Sequence, residues 1–359
     1  MATFKTCILH VGTEKTGSTA LQKFFGLNWA ELLRRGVYVP RSVAPHAKYG
    51  VLNHIDLATA ACEDLRPRDD LQLAAGIRSA DDLARHRYTV EQRLFDELNT
   101  QSQGASSLLI SNEHIHSRLR SQSELYRLRT LLRSHCENIR VIVYLRAQCE
   151  LAESVASTAV RNGQPILRLV PDFSAQGGFD PILGVDQGYF DYLALLNRLS
   201  SVFGVESLDV RLYEKAALID EDIVRDFFGR LNIETNSMVH PGRPNKGLGK
   251  SAMVFLMSVN RHFLRLKASE AARQKVLEYL DEVESGGSIK PDKCSVNSFM
   301  QQFSDSNEQV RERWFPERSQ LFTIRLDSYP ETATQPELLE EELYEYIVGL
   351  VSRNGFGSS

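Results

Sequence analysis

A lysine set inside a glycine-cornered turn is the first feature of this chain that could do chemistry. In HVGTEKTGSTAL, His10 to Leu21, Gly12 and Gly17 bracket Lys15, and Thr16, Ser18 and Thr19 add hydroxyls. Such a turn between a strand and a helix aims main-chain N–H groups and the positive end of the helix dipole at an anion, and the lysine adds a full charge. A second cation is Arg146, which ends the apolar run VIVYL, with Ser154 eight positions later. A guanidinium fork matches a phosphate, and a serine hydroxyl supplies one more donor. Downstream of SLLIS come Asn112, Glu113, His114 and His116, and a hydroxyl that attacks an electrophile needs such a proton acceptor within reach. Neighbours in an extended segment point to opposite sides, so Glu113 and His114 are not expected to face the same atom. Glu113 is preferred as the base, with His114 and His116 as alternatives. His10 reads as a satisfied core histidine, and Arg127, Arg129 and Arg133 as a solvated helix face that an acidic glycan could use.

The elements that must hold these groups follow from hydrophobic periodicity. Thr6 to Val11 is a short apolar strand, and Ser18 to Arg35 carries Leu21, Phe24, Phe25 and Leu32 at helical intervals. Further strands are expected at Gly36 to Pro40, Ser107 to Ser111, Ile139 to Leu145 and Leu208 to Tyr213. Helices are expected over Gln122 to His135, Gln148 to Arg161, Gly188 to Phe203, Asp222 to Leu231, Ser251 to Val283, Val296 to Arg313 and Glu337 to Val351. The polar stretch through about Val90 reads as loops and short helices, and Gln164 to Gln187 as a surface loop. Continuous apolar strands alternating with amphipathic helices imply an α/β fold, a P-loop-NTPase-like parallel sheet flanked by helices, with a helical C-terminal part. Residues 1–250 would form the core and 251–359 the helical part packed on it, unless the whole chain is one domain.

Gly12 and Gly17 have the G-x-x-x-x-G spacing of a nucleotide P-loop, yet Ser18 and Thr19 follow where that motif has Lys and Ser/Thr. A Walker-type site also holds magnesium with an acidic strand end, and here the best buried strand ends in Arg146. The pattern therefore suits a metal-free transfer in which Lys15 and loop amides neutralise a leaving phosphate.

At this point HVGTEKTGST resembles the 5′-phosphosulfate loop of the sulfotransferase superfamily that uses 3′-phosphoadenosine-5′-phosphosulfate (PAPS). The resemblance implies that Lys15, Thr16, Gly17, Ser18 and Thr19 bind the donor's 5′ side, with Lys15 at the bond that breaks. Arg146 and Ser154 are similar to the strand-end arginine and following serine that bind the 3′-phosphate, although Ala147-Gln148-Cys149 stands where many members have an Asp- or Asn-Pro turn. DVRLYE is similar to the strand whose tyrosine, here Tyr213, lies against adenine. PNKGLGK looks like the late loop over the 3′-phosphate, which assigns Lys246 and Gly247, without the fuller Arg-Lys-Gly form. The base lies in the Glu113 to His116 region or near the first helix in members with His or Glu in that role. NEQVRERWFPE, from Asn307, is similar to bacterial carbohydrate sulfotransferases. The resemblance implies sulfuryl transfer to a hydroxyl, on a saccharide. Competing classes are a magnesium-dependent nucleoside-triphosphate kinase and a nucleotide-binding module without catalysis.

Bulk composition agrees with a folded α/β enzyme. Of 359 residues 42% are hydrophobic and 25% charged, and the formal net charge is −4, so no global basic field draws the chain to nucleic acid or an anionic membrane. The five cysteines are scattered, odd in number and without CxxC spacing, which predicts reduced, mostly buried thiols and no zinc site. The N-terminal apolar run is too short for a secretory signal, and no window reaches the roughly 18 apolar residues of a spanning helix; a cytoplasmic protein is expected.

Overall fold

The structure is a computed structural model that describes residues 4–102, 104–166, 168–173, 178–242, 248–266, 269–283, 289–332 and 340–353. The chain divides into two compact units, one of residues 1–146 and 192–244 and the other of residues 147–191 and 245–359. The chain passes between units after residues 146, 191 and 244, so 147–191 clusters with the C-terminal residues.

The first unit is built on a parallel sheet of β1 (Phe4–His10), β2 (Val37–Tyr38), β3 (Ser107–Ser111), β4 (Cys136–Leu145) and a fifth strand, Leu208–Leu212. Counting the second unit's hairpin strands, β5 (Phe179–Asp180) and β6 (Val185–Asp186), that fifth strand is β7. The sheet order is β2-β3-β1-β4-β7 and every neighbouring pair is parallel. β1 is central, and Leu9 pairs with Ile110 on one side and Val141 on the other. Its apolar residues are buried on both faces, which is why it reads as a continuous run and not an alternation. On one face Ile8, Leu109, Ile142 and Tyr144 pack with Leu21, Phe24 and Phe25 of helix α1 (Ser18–Leu27) and with Phe227 and Phe228 of the helix Ile223–Gly229. The helices Gln122–Arg133 and Tyr192–Phe203 also pack on β4. The strand order reverses at β1, and in an open α/β sheet the crevice beyond the carboxyl ends of strands at such a reversal is the natural ligand site.

The expected helix Ser18 to Arg35 is two helices, α1 and Trp29–Arg34, broken at Asn28. The Asn28 amide donates to the Phe24 and Val239 carbonyls at 2.9 and 2.8 Å, so its side chain competes for the groups that would continue the helix. The polar stretch through Val90 also differs from expectation, because a 22-residue helix, Ala80–Gln101, begins inside it. Ser79 and Asp82 form a capping box at its start, and only Leu83, Val90, Leu94, Glu97 and Leu98 are buried, a stripe too narrow to dominate the composition. Arg127 is not a solvated cation, since its guanidinium donates to the Ala61 and Cys62 carbonyls at 2.6 and 2.8 Å.

The second unit is helical, with Gln148–Arg161, Lys250–Leu266, Glu270–Glu282, Lys293–Gln301, Ser304–Trp314 and Glu340–Arg353. The expected helices over 251–283 and 296–313 are each divided in two. Phe303, at the second break, joins an edge-and-tilted cluster with Phe190 and Phe299, centroids 5.3 to 6.0 Å apart. The β5–β6 hairpin interrupts the expected surface loop and is held by buried Asp180, which accepts from the Ile182 and Leu183 amides and from Arg168. Cys7, Cys62, Cys136 and Cys149 are buried free thiols and Cys294 is exposed and free, as the cysteine spacing led one to expect. Among the described residues no helix is long and apolar enough to cross a membrane.

Candidate functional site

The loop after β1 is a fixed piece of backbone. Thr13 N–H donates to the Tyr144 carbonyl at 2.9 Å and its hydroxyl to the same oxygen at 3.1 Å, which ties the loop to β4. The Thr16 hydroxyl is turned inward, donating to the Thr13 carbonyl at 2.6 Å, and Thr16 is fully buried. Gly12, Lys15 and Gly17 all have left-handed φ, +89°, +63° and +80°. Glycine takes such values freely, but for Lys15 they carry a local cost that the surrounding bonds must offset.

Two glycines also permit close approach. A Cβ on Gly12 would lie 3.1 Å from Glu113 Cα and Cβ, and one on Gly17 would lie 3.2 Å from Ile223 and 3.3 Å from Tyr213. Gly17 begins α1 with no side-chain cap and no acid in the first turn. A glycine in place of a capping side chain costs only about a few tenths of a kcal/mol, whereas each of the fully buried Leu21, Phe24 and Phe25 contributes roughly 1.5–3 kcal/mol. Packing therefore holds the helix while its first amides stay available to an anion.

Glu14, Lys15, Gly17, Ser18, Thr19, Glu113 and His114 line one open cleft of about 150 Å³ at the carboxyl ends of β1 and β3. A cavity of that volume takes up a benzene ring elsewhere. Lys15, Gly17, Ser18 and Thr19 of β1's loop thus share one space with Glu113 and His114, whereas Thr16, Asn112 and His116 do not line it. Burial pulls the Lys15 ammonium below its ordinary value, and the Arg146 charge acts in the same direction, opposed by Glu14 and Glu113.

The acids and histidines divide into two groups. His114 Nδ1 lies 3.1 Å from Glu14 Oε1. Burial would lower the His114 pKa, but the hydrogen bond and charge of Glu14, with the charge of Glu113, raise it overall. For Glu14, burial acts upward and is outweighed by His114, Ser117 and His116, which hold it far below the usual carboxylate range. Glu113 instead accepts from two neutral amides, Gln22 Nε2 at 2.6 Å to Oε2 and Asn53 Nδ2 at 3.2 Å to Oε1. The pairing with Arg118 or Arg120 that its sequence neighbours allow is not made. His116 is buried, its Nδ1 accepting from the Glu14 amide at 3.4 Å, and it does not line the cleft. His10 is wholly buried, with Nδ1 2.9 Å from Ser111 Oγ, and burial pushes its imidazole down to about 3.

Arg146, at the end of β4, reaches the same loop. Its Nη1 donates to the Lys15 carbonyl at 3.1 Å, its guanidinium lies 5.7 Å from the centre of the Tyr213 ring, and its own carbonyl accepts from the Tyr192 hydroxyl at 2.5 Å. Tyr213 thus stands between Arg146 and Gly17. Ser154 lies half-buried on the helix Gln148–Arg161 of the second unit. Lys246 and Gly247 lie outside the described residues. Among the described residues no group of three or more His, Cys, Asp or Glu side chains is placed to hold a metal ion. Sequence reading missed Gln22, Asn53 and the ion-pairing part of Glu14. Glu14 sits inside the quoted motif and could have been found there, whereas nothing local marks the other two.

No protein-family profile matches the chain. A curated protein of unassigned function from Archaeoglobus fulgidus is 26% identical over 178 residues, which is 46% of this chain and 49% of that protein. The chain spans about half the length of the curated relative it matches. Among solved structures, a sulfotransferase from Alicyclobacillus acidocaldarius is similar at 15% identity and a TM-score of 0.41, covering 76% of this chain and all of that one.

Proposed function

We propose that the chain transfers a sulfuryl group from PAPS to a hydroxyl, on a saccharide. The observation that carries this reading is the cleft in which an ammonium, uncapped helix amides and an amide-held carboxylate meet. The acceptor oxygen attacks sulfur in line with the phosphate oxygen that departs. The new S–O bond forms as the old one breaks, the hydroxyl proton passes to Glu113, and adenosine 3′,5′-bisphosphate leaves. Lys15 and the first amides of α1 stabilise charge that grows on the leaving phosphate, an effect largest where donors are already aimed at it. His114, biased toward its cation by Glu14, is better suited to donate to the transferring group than to take the proton. Arg146 would bind the 3′-phosphate, with Tyr213 on the adenosine side. Support for the donor comes from the lysine's place within the loop and the arginine that ends β4.

The test is turnover of sulfur-labelled PAPS against a panel of saccharides without added metal. Label should pass to at least one saccharide, and Lys15→Ala should lower the rate by about 10²–10³-fold, the usual cost of removing one stabiliser of a developing oxyanion. Wild-type protein that binds saccharide and PAPS but moves no label would refute the reading.

A further inference from the structure

Glu113 is gripped by two buried side chains that belong to no motif. Gln22, on α1, is 1% exposed and gives its Nε2 hydrogen to Glu113 Oε2 at 2.6 Å. Asn53, 8% exposed, approaches both oxygens, at 3.2 Å from Oε1 and 3.3 Å from Oε2. Its own Oδ1 is buried and has no partner among the described residues. A buried acceptor left unpaired is costly, and among the described residues the side-chain bonds that offset it are those Asn53 Nδ2 gives Glu113.

The scaffold behind these amides is also built from hydrogen bonds. Gln22 Nε2 lies 3.5 Å from Ser111 Oγ, which is 2.9 Å from His10 Nδ1. His54, next to Asn53, donates its main-chain N–H to the Ser111 carbonyl and accepts the Ser111 N–H on Nδ1 at 2.9 Å. Its Nε2 donates to the Pro40 carbonyl at 3.0 Å. Burial pushes the His54 imidazole down to about 4, so it is neutral and these partners fix its tautomer. Both amides therefore hang from Ser111, the last residue of β3, two positions before Glu113.

We propose that Gln22 and Asn53 are positioning residues that fix the direction of the Glu113 carboxylate and leave Oε1, the less heavily bonded oxygen, to receive the acceptor's proton. This rests on the reading of Glu113 as the base. Two neutral amides fix the direction of a carboxylate without adding the opposing charge that an arginine would, and the oxygen they leave less bonded keeps lone pairs for a proton.

The experiment uses the full chain and measures PAPS turnover, bisphosphate affinity and thermal stability in wild type, Gln22→Met, Asn53→Ser and Glu113→Gln, and in the two amide variants combined with Glu113→Gln. Each folded amide variant should lose about 10-fold in kcat with bisphosphate affinity as in wild type, and should cost nothing further once Glu113 is already Gln. Wild-type kcat in both amide variants, or an equal loss in the Glu113→Gln background, overturns the inference. If wild type transfers no sulfuryl group, the proposed function fails and the stability cycle decides the amide grip: a coupling between Gln22 and Glu113 supports it, and strict additivity overturns it.

Discussion

Glu14 and His114 show how one pair of side chains can fix both charge and shape at the cleft. Their contact spans the loop after β1 and the segment after β3, so it clamps together the two pieces that carry Lys15 and Glu113. The His114 pKa is raised and that of Glu14 lowered, which means that each group stabilises the fold in its charged form. For a raised histidine the contribution is complete below about pH 6.5 and is lost as pH rises through the folded-state value. For a depressed carboxylate it is present above about pH 4.3 and is lost on acidification. Glu14→Gln should therefore lower the melting temperature most between about pH 4.3 and 6.5, with the difference from wild type shrinking toward pH 9. Thermal melts across that range check it, and a deficit that grows on the alkaline side would show that the pair acts otherwise. Lys15, Glu113 and His114 were legible as candidates because a lysine in a glycine turn and acids beyond a strand are local patterns. Gln22 and Asn53 were not, since a neutral amide becomes informative only when the fold sets it against a carboxylate.

At the level of elements, the uncapped start of α1 depends on a glycine that serves backbone and packing together. Gly17 has φ +80°, and a Cβ there would press on Ile223 and Tyr213. Gly50 has φ +75° with nothing within 4 Å of its would-be Cβ. Gly50→Ala should thus lose only the left-handed cost of about 1–2 kcal/mol, while Gly17→Ala should lose more and weaken bisphosphate binding as well. Denaturant unfolding with calorimetric binding separates the two, and equal losses with unchanged binding would contradict the packing role. β1, β3, β4 and the helix Gln148–Arg161 were legible because long apolar runs and a regular helical period need no tertiary information. The helix Ala80–Gln101 was hidden by its narrow apolar stripe, and the break at Asn28 by bonds to Val239, more than two hundred positions away. The apolar residues of Leu208–Leu212 sit at the sheet's edge beside β4 alone, yet that short strand was still readable from its length and its flanks.

For the molecule as a whole, the decisive feature is where the sheet reverses its order. That reversal puts the carboxyl ends of β1, β3 and β4 side by side, and the three positions found there are Lys15, Glu113 and Arg146. With a net charge of only −4, any attraction for an anion has to be built locally and not by the overall field. The alternation of strands and helices made the α/β class legible, whereas the division into units, with 147–191 grouped with the C-terminal residues, depends on long-range contacts that no local pattern encodes. The most direct test is calorimetric titration of the full chain with adenosine 3′,5′-bisphosphate and with ATP, each with magnesium and with a chelator. The bisphosphate should bind equally well in both conditions, and Arg146→Ala should weaken it by roughly 2–5 kcal/mol, the range for removing one member of a desolvated charged pair. Binding of ATP only, dependent on magnesium and indifferent to Arg146, would contradict the account.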